Sequence, residues 1–303
     1  ATYKAILVVL EIAIYAETYK PNYKEIVEKL VRAVQAHSAY DIFKKEFYHL
    51  LIENKVLDFE YETFSSHTDI DDDTNFFVSI GGDGTLLRAA NFVKSKNIPI
   101  VGVNAGRLGF LANVQQDAIG FLIPLLFSNQ YTLSRRTLLK LDEPSEAQTN
   151  FDVNFALNEI TVTRKNSTSM ITVETYINDE FLATYWADGI IISTPTGSTG
   201  YNLSCGGPII TPDSNCLVIT PIAPHNLTTR PLIINDRSKI KMKISSREAQ
   251  FLLSLDSETA AISNDSQIEI SLANYTVNMV EFPSVTFLRT LRSKLLWGED
   301  KRN

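Results

Sequence analysis

Residues 76–90 combine a run of apolar residues, three glycines in four positions and a run of helix-forming residues. Residues 76–80 are mostly aromatic or β-branched, which is typical of a strand buried on both faces. Gly81, Gly82 and Gly84 let the backbone turn sharply and approach a ligand closely. Helical spacing begins at Thr85, so the free N–H groups of a helix N-terminus would follow the turn and favour an anion. The segment therefore predicts a strand–turn–helix unit of an α/β domain with an anion site at the turn.

Asp83 lies in the middle of this turn, where a bound phosphate would repel its carboxylate. A carboxylate at this position could accept a proton or hold a metal ion against the phosphates. The turn lacks the Gly-Lys-Ser/Thr ending of a Walker loop and the glycine spacing of a Rossmann turn. A plain α/β turn in which Asp83 caps the helix is the alternative interpretation.

The length and charge of the chain restrict the remaining possibilities. A chain of 303 residues fits one large domain or two ordinary ones. The net charge of -7 argues against a general nucleic-acid or anionic-membrane surface. Cys205 and Cys216 are too few for a disulfide framework or a zinc site, which favours a cytoplasmic protein. The apolar residues 5–16 are too short for a membrane span and are interrupted by Glu11, so they predict a buried first strand and no targeting segment.

The first part of the chain alternates between strand and helix patterns. Predicted strands cover residues 4–16, 56–64, 76–80 and 99–103, and predicted helices cover 23–37, 40–54, 85–96 and 117–127. The acidic residues 69–73 lack the glycine and glutamate of a calcium loop and predict a solvated loop. A second glycine-rich turn, residues 104–110, follows the strand 99–103. Two such turns on neighbouring strands would face one crevice, where open α/β sheets bind ligands.

From residue 131 the pattern changes to closely spaced strands, which favours a β-sandwich. The predicted strands are 138–141, 151–156, 159–164, 171–177, 181–186, 189–194, 216–220, 232–235, 239–244, 250–255, 267–272 and 275–282. Asn178 and Asp179 indicate a hairpin. Residues 286–297 return to helical spacing, and we expect this last helix to pack on the first domain.

A second concentration of chemical signal lies in residues 188–201, where a strand leads into a turn rich in hydroxyl groups and glycine. Small residues let a ligand lie close, and hydroxyl groups can donate or accept hydrogen bonds. Tyr201 offers a flat apolar face for a base together with a polar tip. A plain surface loop is the alternative interpretation of this segment taken alone.

Taken together, these motifs resemble those of NAD kinases. The resemblance covers Gly81-Gly82-Asp83-Gly84-Thr85, residues 104–111, Asn158-Glu159 and residues 188–201 with 206–208, followed by 224–227, 230–232, 288–292 and 297–298. The glycine motif alone is shared with lipid kinases and phosphofructokinases, whereas the ordered set of motifs is specific. The resemblance implies an α/β domain of residues 1–130 plus 284–303 (Rossmann-like, similar to phosphofructokinases and diacylglycerol kinases). It also implies a β-sandwich domain of residues 131–283 for dinucleotide binding and oligomerisation.

The resemblance also implies a reaction and its participants. The γ-phosphoryl group of ATP would pass to the 2′-hydroxyl of the adenosine ribose of NAD, with a divalent cation (Mg²⁺ or Mn²⁺) and no certain protein ligand for it. Asp83 would act as the base or orienting group, and the glycine turn would hold the donor phosphates. The substrate-binding residues would be Gly81, Gly82, Gly84, Thr85, Arg88, Asn104, Asn158, Glu159, Asp188, Thr199, Gly200, Tyr201, Asn202, Leu203, Ser204 and Asp256. The partners would be NAD and ATP, without nucleic acid or membrane, in a homodimer or homotetramer.

Some features depart from the family pattern or stay open. Gly200 replaces a usual alanine, and Trp186 replaces a basic or small polar residue, which leaves the choice between NAD and NADH open. Arg88 would either face phosphate or lie on the helix surface. A kinase acting on a lipid or sphingoid alcohol, and a dinucleotide-sensing module without catalysis, are the competing functions. The polar residues Asn158 and Glu159 count against the first, and the retention of Asp83 counts against the second.

Overall fold

A computed structural model of the chain describes residues 10–148, 150–166, 169–264 and 266–297. The chain divides into two compact units, a first unit of Ala1–Ser134 with Val277–Asn303 and a second unit of Arg135–Thr276. Within the described ranges, no helix has the length and apolar character needed to cross a membrane.

The first unit is an α/β unit built on one eight-stranded sheet. Its strands are β1 (Glu11–Tyr15), β2 (Tyr40–Lys44), β3 (Glu62–Phe64), β4 (Phe76–Gly81), β5 (Ile100–Asn104), β6 (Val114–Gln115), β7 (Thr132–Arg136) and β20 (Val277–Glu281). The order is β3-β2-β1-β4-β5-β20-β7, and β6 pairs with β5. The pairings from β3 through to β20 are parallel. The helices are α1 (Tyr23–Ala36), α2 (Lys45–Glu53), α3 (Asp83–Val93), α4 (Ile119–Phe127) and α7 (Phe287–Leu295).

Apolar side chains explain why these segments form a covered parallel sheet. All six residues of β4 and all five of β5 are buried, as expected for strands with helices on both faces. Helix α1 buries one face through Ile26, Leu30 and Val34. Helix α4 is almost entirely apolar and accommodates Pro124 inside it.

Three predictions for this unit differ from the structure. The helix predicted at residues 40–54 is wrong in its first part, because Tyr40–Lys44 forms β2 between β1 and β3 and only Lys45–Glu53 is helical. The strand predicted at 56–64 is reduced to Glu62–Phe64. The strand predicted at 275–282 exists as β20, but it pairs with β5 and lies in the first unit. Residues 4–9 of the predicted first strand fall outside the described residues.

The second unit is an antiparallel β-sandwich. Its strands are β8 (Leu139–Glu143), β9 (Phe155–Ala156), β10 (Glu159–Arg164), β11 (Ile171–Ile177), β12 (Glu180–Ala187), β13 (Gly189–Ser193), β14 (Cys216–Ile222), β15 (Leu232–Asn235), β16 (Ile240–Ser245), β17 (Gln250–Leu255), β18 (Glu258–Ser263) and β19 (Gln267–Leu272). One sheet has the order β15-β14-β13-β10-β17-β18 and the other β12-β11-β16-β19-β8-β9. Their inward side chains form one core. The short helices α5 (Ser145–Gln148) and α6 (Tyr201–Ser204) lie in connections.

The topology places the predicted motifs at strand ends. In the first unit Gly81 at the end of β4 pairs with Asn104 at the end of β5, which confirms that the two glycine-rich turns share one edge of the sheet. In the second unit Glu159 pairs with Ser193, and Ile160 pairs with Leu255. The start of β10 and the ends of β13 and β17 therefore meet at one point.

Candidate active site

The carboxylate of Asp83, the first residue of α3, is held by the backbone of the loop that follows β5. Oδ1 accepts the N–H groups of Leu111 and Ala112 at 3.0 and 2.9 Å, and Oδ2 accepts that of Phe110 at 2.9 Å. A carboxylate has about four lone-pair positions, so Oδ2 keeps one for a further donor. The loop thus fixes the carboxylate while leaving one oxygen able to accept a hydrogen bond from a ligand.

Two residues shape the loop after β5 around Asp83. A Cβ atom at Gly109 would collide with the Asp83 carboxylate, so this position requires glycine. Asn104 is buried, and its Nδ2 donates to the carbonyl oxygens of Arg107 and Ala112 at 2.6 and 3.1 Å. Asn104, predicted as a nucleotide contact, therefore uses its amide to support the loop in this structure.

Helix α7 contacts the same loop from the C-terminal end of the chain. Lys294 donates to the carbonyl oxygen of Leu108 at 2.9 Å, and its Nζ lies 5.0 Å from the ring centroid of Phe110. The rings of Phe110 and Phe287 are 6.3 Å apart. Because Phe110 supplies a donor to Asp83, α7 helps to fix the carboxylate. The expected return of the last helix to the first domain is confirmed.

The glycine turn itself is open to solvent. Gly82 and Gly84 are exposed and Thr85 is half-buried, so the first N–H groups of α3 can be reached by an anion. Arg88, farther along α3, forms an ion pair with Glu17. Of the two interpretations of Arg88, the structure favours the second, in which Arg88 lies exposed on the helix surface. A contact with phosphate would require Arg88 to exchange Glu17 for the ligand.

In the second unit, Asp256 fixes the start of β10. It follows β17 with φ of 50°, a left-handed conformation. Its Oδ2 accepts the N–H group of Leu157 at 2.8 Å, and Oδ1 accepts those of Asn158 and Glu159 at 2.8 and 3.1 Å. Burial raises the pKa of Asp256 to about 6, and the three donors oppose that effect. The three donors favour the ionised form of Asp256, and its carboxylate orders three consecutive residues.

The hydroxyl-rich turn after β13 is tied to the same residues. The backbone N–H of Thr194 donates to the carbonyl oxygen of Asn158 at 2.9 Å, and its Oγ1 donates to that of Leu157 at 2.6 Å. Farther along the turn, Thr199 donates through Oγ1 to the carbonyl oxygen of Thr196 at 3.2 Å. The predicted residues Asn158, Glu159, Thr199 and Gly200 are thus brought together by backbone contacts.

Asn202 is a structural residue of this turn. It is fully buried, and its Nδ2 donates to the carbonyl oxygens of Ser198 and Pro208, both at 3.0 Å. Its Oδ1 accepts the hydroxyl group of Thr220 at 2.6 Å. Because its side chain is saturated, Asn202 shapes the turn in this structure and offers no free side-chain atom.

Two oxygen atoms beside this turn are buried without a hydrogen-bond partner among the described residues, Asn158 Oδ1 and Glu159 Oε2. Burial raises the pKa of Glu159 to about 8, the charge of Asp256 adds to this, and the backbone N–H of Tyr201 lowers it. A Cβ atom at Gly200 would lie 2.9 Å from Glu159 Oε2. Buried acceptors without partners are unfavourable, and a ligand carrying hydroxyl donors would satisfy them.

The remaining predicted residues lie at the edge of this cluster. Tyr201 is 42% exposed at the start of α6, Leu203 is half-buried and Ser204 is exposed. Asp188 forms an ion pair with Arg164, with Oδ2 2.9 Å from the guanidinium nitrogen. The carboxylate of Asp188 is thus already paired with a cation.

The described residues contain no group of three His, Cys, Asp or Glu side chains placed to hold a metal ion. Magnesium in phosphoryl-transfer sites is often bound by one or two carboxylates together with substrate phosphates and water. A cation that arrives with a nucleotide would then be held mainly by the phosphates and water.

Comparison with known proteins assigns both units. The model of the ATP-NAD kinase N-terminal domain matches residues 12–131, and that of the ATP-NAD kinase C-terminal domain matches residues 157–282. The NAD kinase of Flavobacterium psychrophilum is 52% identical over 294 residues, which are 97% of this chain and 100% of that protein. The NAD kinase of Bacteroides fragilis is 38% identical over 293 residues, with the same coverage of both chains. The chain belongs to the NAD kinase family.

Solved structures extend the likeness to the fold. The crystal structure of yeast NADH kinase complexed with NADH has a TM-score of 0.84 at 24% identity, covering 96% of this chain and 89% of that chain. The structure of an NAD kinase from Archaeoglobus fulgidus in complex with ATP has a TM-score of 0.73 at 24% identity, covering 95% and 99%. These similarities confirm the predicted combination of an α/β domain and a β-sandwich.

Several residues that build these NAD kinase motifs were not predicted as site residues. Gly109 lies against Asp83, Lys294 holds the loop, and Thr194 ties the second turn to Asn158. Arg164 lies beside Asp188 because Thr163 pairs with Gly189, a strand pairing that was not predicted. The others depend on contacts between distant segments that no local pattern records.

Proposed function

We propose that this chain is an NAD kinase that transfers the γ-phosphoryl group of ATP to the 2′-hydroxyl of the adenosine ribose of NAD, giving NADP and ADP. The full-length match to NAD kinases carries the proposal. In the reaction the 2′-oxygen forms a bond to the γ-phosphorus, and the bond from that phosphorus to the β–γ bridging oxygen breaks. The hydroxyl proton leaves in the same process.

Asp83 is the proposed acceptor for the ribose hydroxyl. Its one remaining acceptor position on Oδ2 can orient the hydroxyl and take its proton, while three backbone donors keep the carboxylate from rotating. Phosphoryl transfer is mostly positioning and charge neutralisation, so a fixed acceptor suits the reaction better than a mobile one.

The glycine turn is the proposed phosphate site. The exposed backbone of Gly82 and Gly84 and the N-terminus of α3 offer N–H groups to the donor phosphates. A divalent cation, Mg²⁺ or Mn²⁺, would neutralise the triphosphate when bound with it. Arg88 would join the phosphates after releasing Glu17, and Gly81, Thr85 and Asn104 would hold the shape of the turn.

The dinucleotide is proposed to bind at the Asp256 cluster of the second unit. Ribose hydroxyl groups would donate to Asn158 Oδ1 and Glu159 Oε2, the two buried oxygens that lack partners among the described residues. Tyr201 would lie against the base or its ribose, and the backbone of residues 199–204 would line the site. Asp188, paired with Arg164, would contribute at the edge of the site.

The proposed assembly is a homodimer or homotetramer formed through the β-sandwich. The second unit exposes large apolar side chains, including 55% of Phe181, 50% of Trp186 and 87% of Leu227. We also propose that the protein is cytoplasmic, which is supported by its two unpaired cysteines. Light scattering of the purified protein would measure the assembly.

An NADP-formation assay tests the proposal directly. The purified chain is incubated with Mg²⁺ and ATP and with NAD or NADH side by side, and the product is measured with an NADP-specific dehydrogenase. We expect NADP to form with ATP as the phosphoryl donor. Absence of product with every nucleotide or polyphosphate donor would overturn the proposal, and NAD binding without turnover would indicate a sensing module instead.

A further inference from the structure

Asp41 is a buried acidic residue of the first unit that the proposed reaction does not use. It lies near the start of β2 and is 5% exposed. Its Oδ1 atom is buried and has no hydrogen-bond partner among the residues that the structure describes. The following residues Ile42 and Phe43 are buried in the core, so Asp41 interrupts an apolar strand. A buried carboxyl oxygen without a partner is unfavourable, and such an atom indicates a ligand.

A cavity of about 540 Å³ lies beside Asp41. Its other lining residues are Gln35, Ala39, Tyr40, Glu60, Tyr61 and Glu62. The described lining thus contains three carboxyl groups and no lysine, arginine or histidine. Burial raises the pKa of Asp41 to about 8, so a cation bound there would ionise it and release a proton.

This cavity is separate from the glycine turn. Ile12 of β1 pairs with Asp41 on one side and with Phe76, the first residue of β4, on the other. Gly81 is five residues farther along β4, and five residues of strand span roughly 16 Å. Asp41 therefore lies toward the edge of the parallel sheet opposite the one that carries Asp83.

The spacing of the acidic groups favours an organic cation over a metal ion. Among the described residues, no three His, Cys, Asp or Glu side chains converge on a point that a metal ion could occupy. The cavity is also far larger than a single ion or water molecule, which takes roughly 30 Å³. Carboxylates spread around a cavity can each pair with a separate ammonium group. Tyr40 and Tyr61 add ring faces of the kind that attract such cations.

We propose that this cavity, bounded by Asp41, Glu60, Glu62 and the two tyrosines, is a binding site for a linear organic polycation of the polyamine class. One ammonium group pairs with the Asp41 carboxylate at the buried end, and a second pairs with Glu60 or Glu62 near the surface. The site does not depend on the kinase reaction, because none of its residues belongs to the proposed nucleotide or dinucleotide sites.

Isothermal titration calorimetry of the full chain with spermidine at low ionic strength tests this site. Asp41→Asn keeps the size of the side chain and should weaken binding at least tenfold, since a charge-assisted hydrogen bond is lost. Glu53→Gln is the matched control, because Glu53 is an exposed carboxylate at the end of α2 outside the cavity lining. At pH 7 the heat of spermidine binding to the wild type should differ between Tris and phosphate buffers, because binding releases a proton that the buffer takes up. Asp41→Asn should lack this difference.

Circular dichroism would reveal whether Asp41→Asn folds. If it does not fold, a second variant tests the site. Glu62 is exposed at the mouth of the cavity, so Glu62→Gln leaves the core intact and should weaken spermidine binding severalfold. Three results would overturn the site: no spermidine binding by the wild type, equal binding by Asp41→Asn and wild type, or an equal loss in Glu53→Gln. Displacement of spermidine by an equal concentration of Mg²⁺ would also overturn it.

Discussion

The carboxylates of Asp83 in the first unit and Asp256 in the second accept the same pattern of hydrogen bonds. Their surroundings suit them to different roles. Each carboxylate accepts three consecutive backbone N–H groups, 110–112 for Asp83 and 157–159 for Asp256. Asp83 begins a helix beside an exposed glycine turn, whereas Asp256 follows a strand in a left-handed turn. The first loop positions the carboxylate itself, and the second carboxylate positions its neighbours Asn158 and Glu159. The same hydrogen-bond pattern can thus serve a reacting group or a supporting one.

The comparison predicts that Asp83→Asn has the largest effect on turnover. The amide cannot accept the hydroxyl proton, and its NH₂ group would face a backbone donor of the loop. We expect kcat to fall about 10³-fold, within the range for loss of general acid–base catalysis. Calorimetry should show NAD binding that is nearly unchanged, because the other proposed dinucleotide contacts lie in the second unit. A variant with turnover close to wild type would refute the role of Asp83.

Asp256→Asn should act on substrate binding rather than on turnover. Only one oxygen would remain for three donors, so at least one backbone N–H of residues 157–159 would lose its partner, at a cost of about 1–3 kcal/mol. We expect KM for NAD to rise about tenfold and the thermal midpoint to fall. The change in kcat should be smaller than the change in KM. Steady-state kinetics with NAD and ATP varied in turn separate these effects. A loss of kcat as large as that of Asp83→Asn would erase the distinction between the two carboxylates.

Glu159 makes the second region sensitive to pH. Its pKa is raised to about 8, above the unfolded value, so the folded protein binds its proton more tightly, and this group's contribution to stability declines as pH rises from about 4.5 to 8. The ionised form accepts hydroxyl donors more strongly, so NAD binding should tighten as pH rises from 6.5 to 8.5.

Glu159→Gln, measured by calorimetry at several pH values, isolates this effect. The variant should bind NAD about tenfold more weakly above pH 8 and lose the pH dependence. Asp83→Asn is the control, because it should keep the pH dependence of binding. If Glu159→Gln retained the wild-type pH profile, another group would be responsible for it.

The sequence predicted local structure well where the pattern alone decides it. The bounds of β10, β11, β17 and β19 match the predicted ones, because apolar and polar residues that largely alternate between turn residues specify a strand of a sandwich. The bounds of β15 match as well, from a short apolar run. Residues 40–44 were predicted as helix because aromatic and aliphatic side chains there also fit helical spacing. Pairing with β1 and β3, which no local pattern records, makes them a strand.

The same limit applies to the candidate site. Asp83, Asn158, Glu159 and Asp256 were predicted from motifs, but the donors that hold Asp83 come from residues 27 to 29 positions away along the chain. The Glu17 partner of Arg88 is 71 positions away. Such contacts are set by tertiary packing, so the residue types were predictable and their hydrogen bonds were not.

Gly200→Ala offers the smallest expected effect and the finest test of the second region. The added methyl would lie 2.9 Å from Glu159 Oε2, closer than an ordinary contact. The carboxylate is at the end of a flexible side chain and can move away, whereas the carbonyl oxygen of Gly197, 3.2 Å from the methyl, must give by a few tenths of an ångström. We expect KM for NAD to rise about two- to threefold with unchanged kcat, a cost of well under 1.4 kcal/mol. The double variant Gly200→Ala with Glu159→Gln should bind NAD no more weakly than Glu159→Gln alone if the methyl acts only through this carboxylate. Additive losses would place the effect in the backbone of the turn.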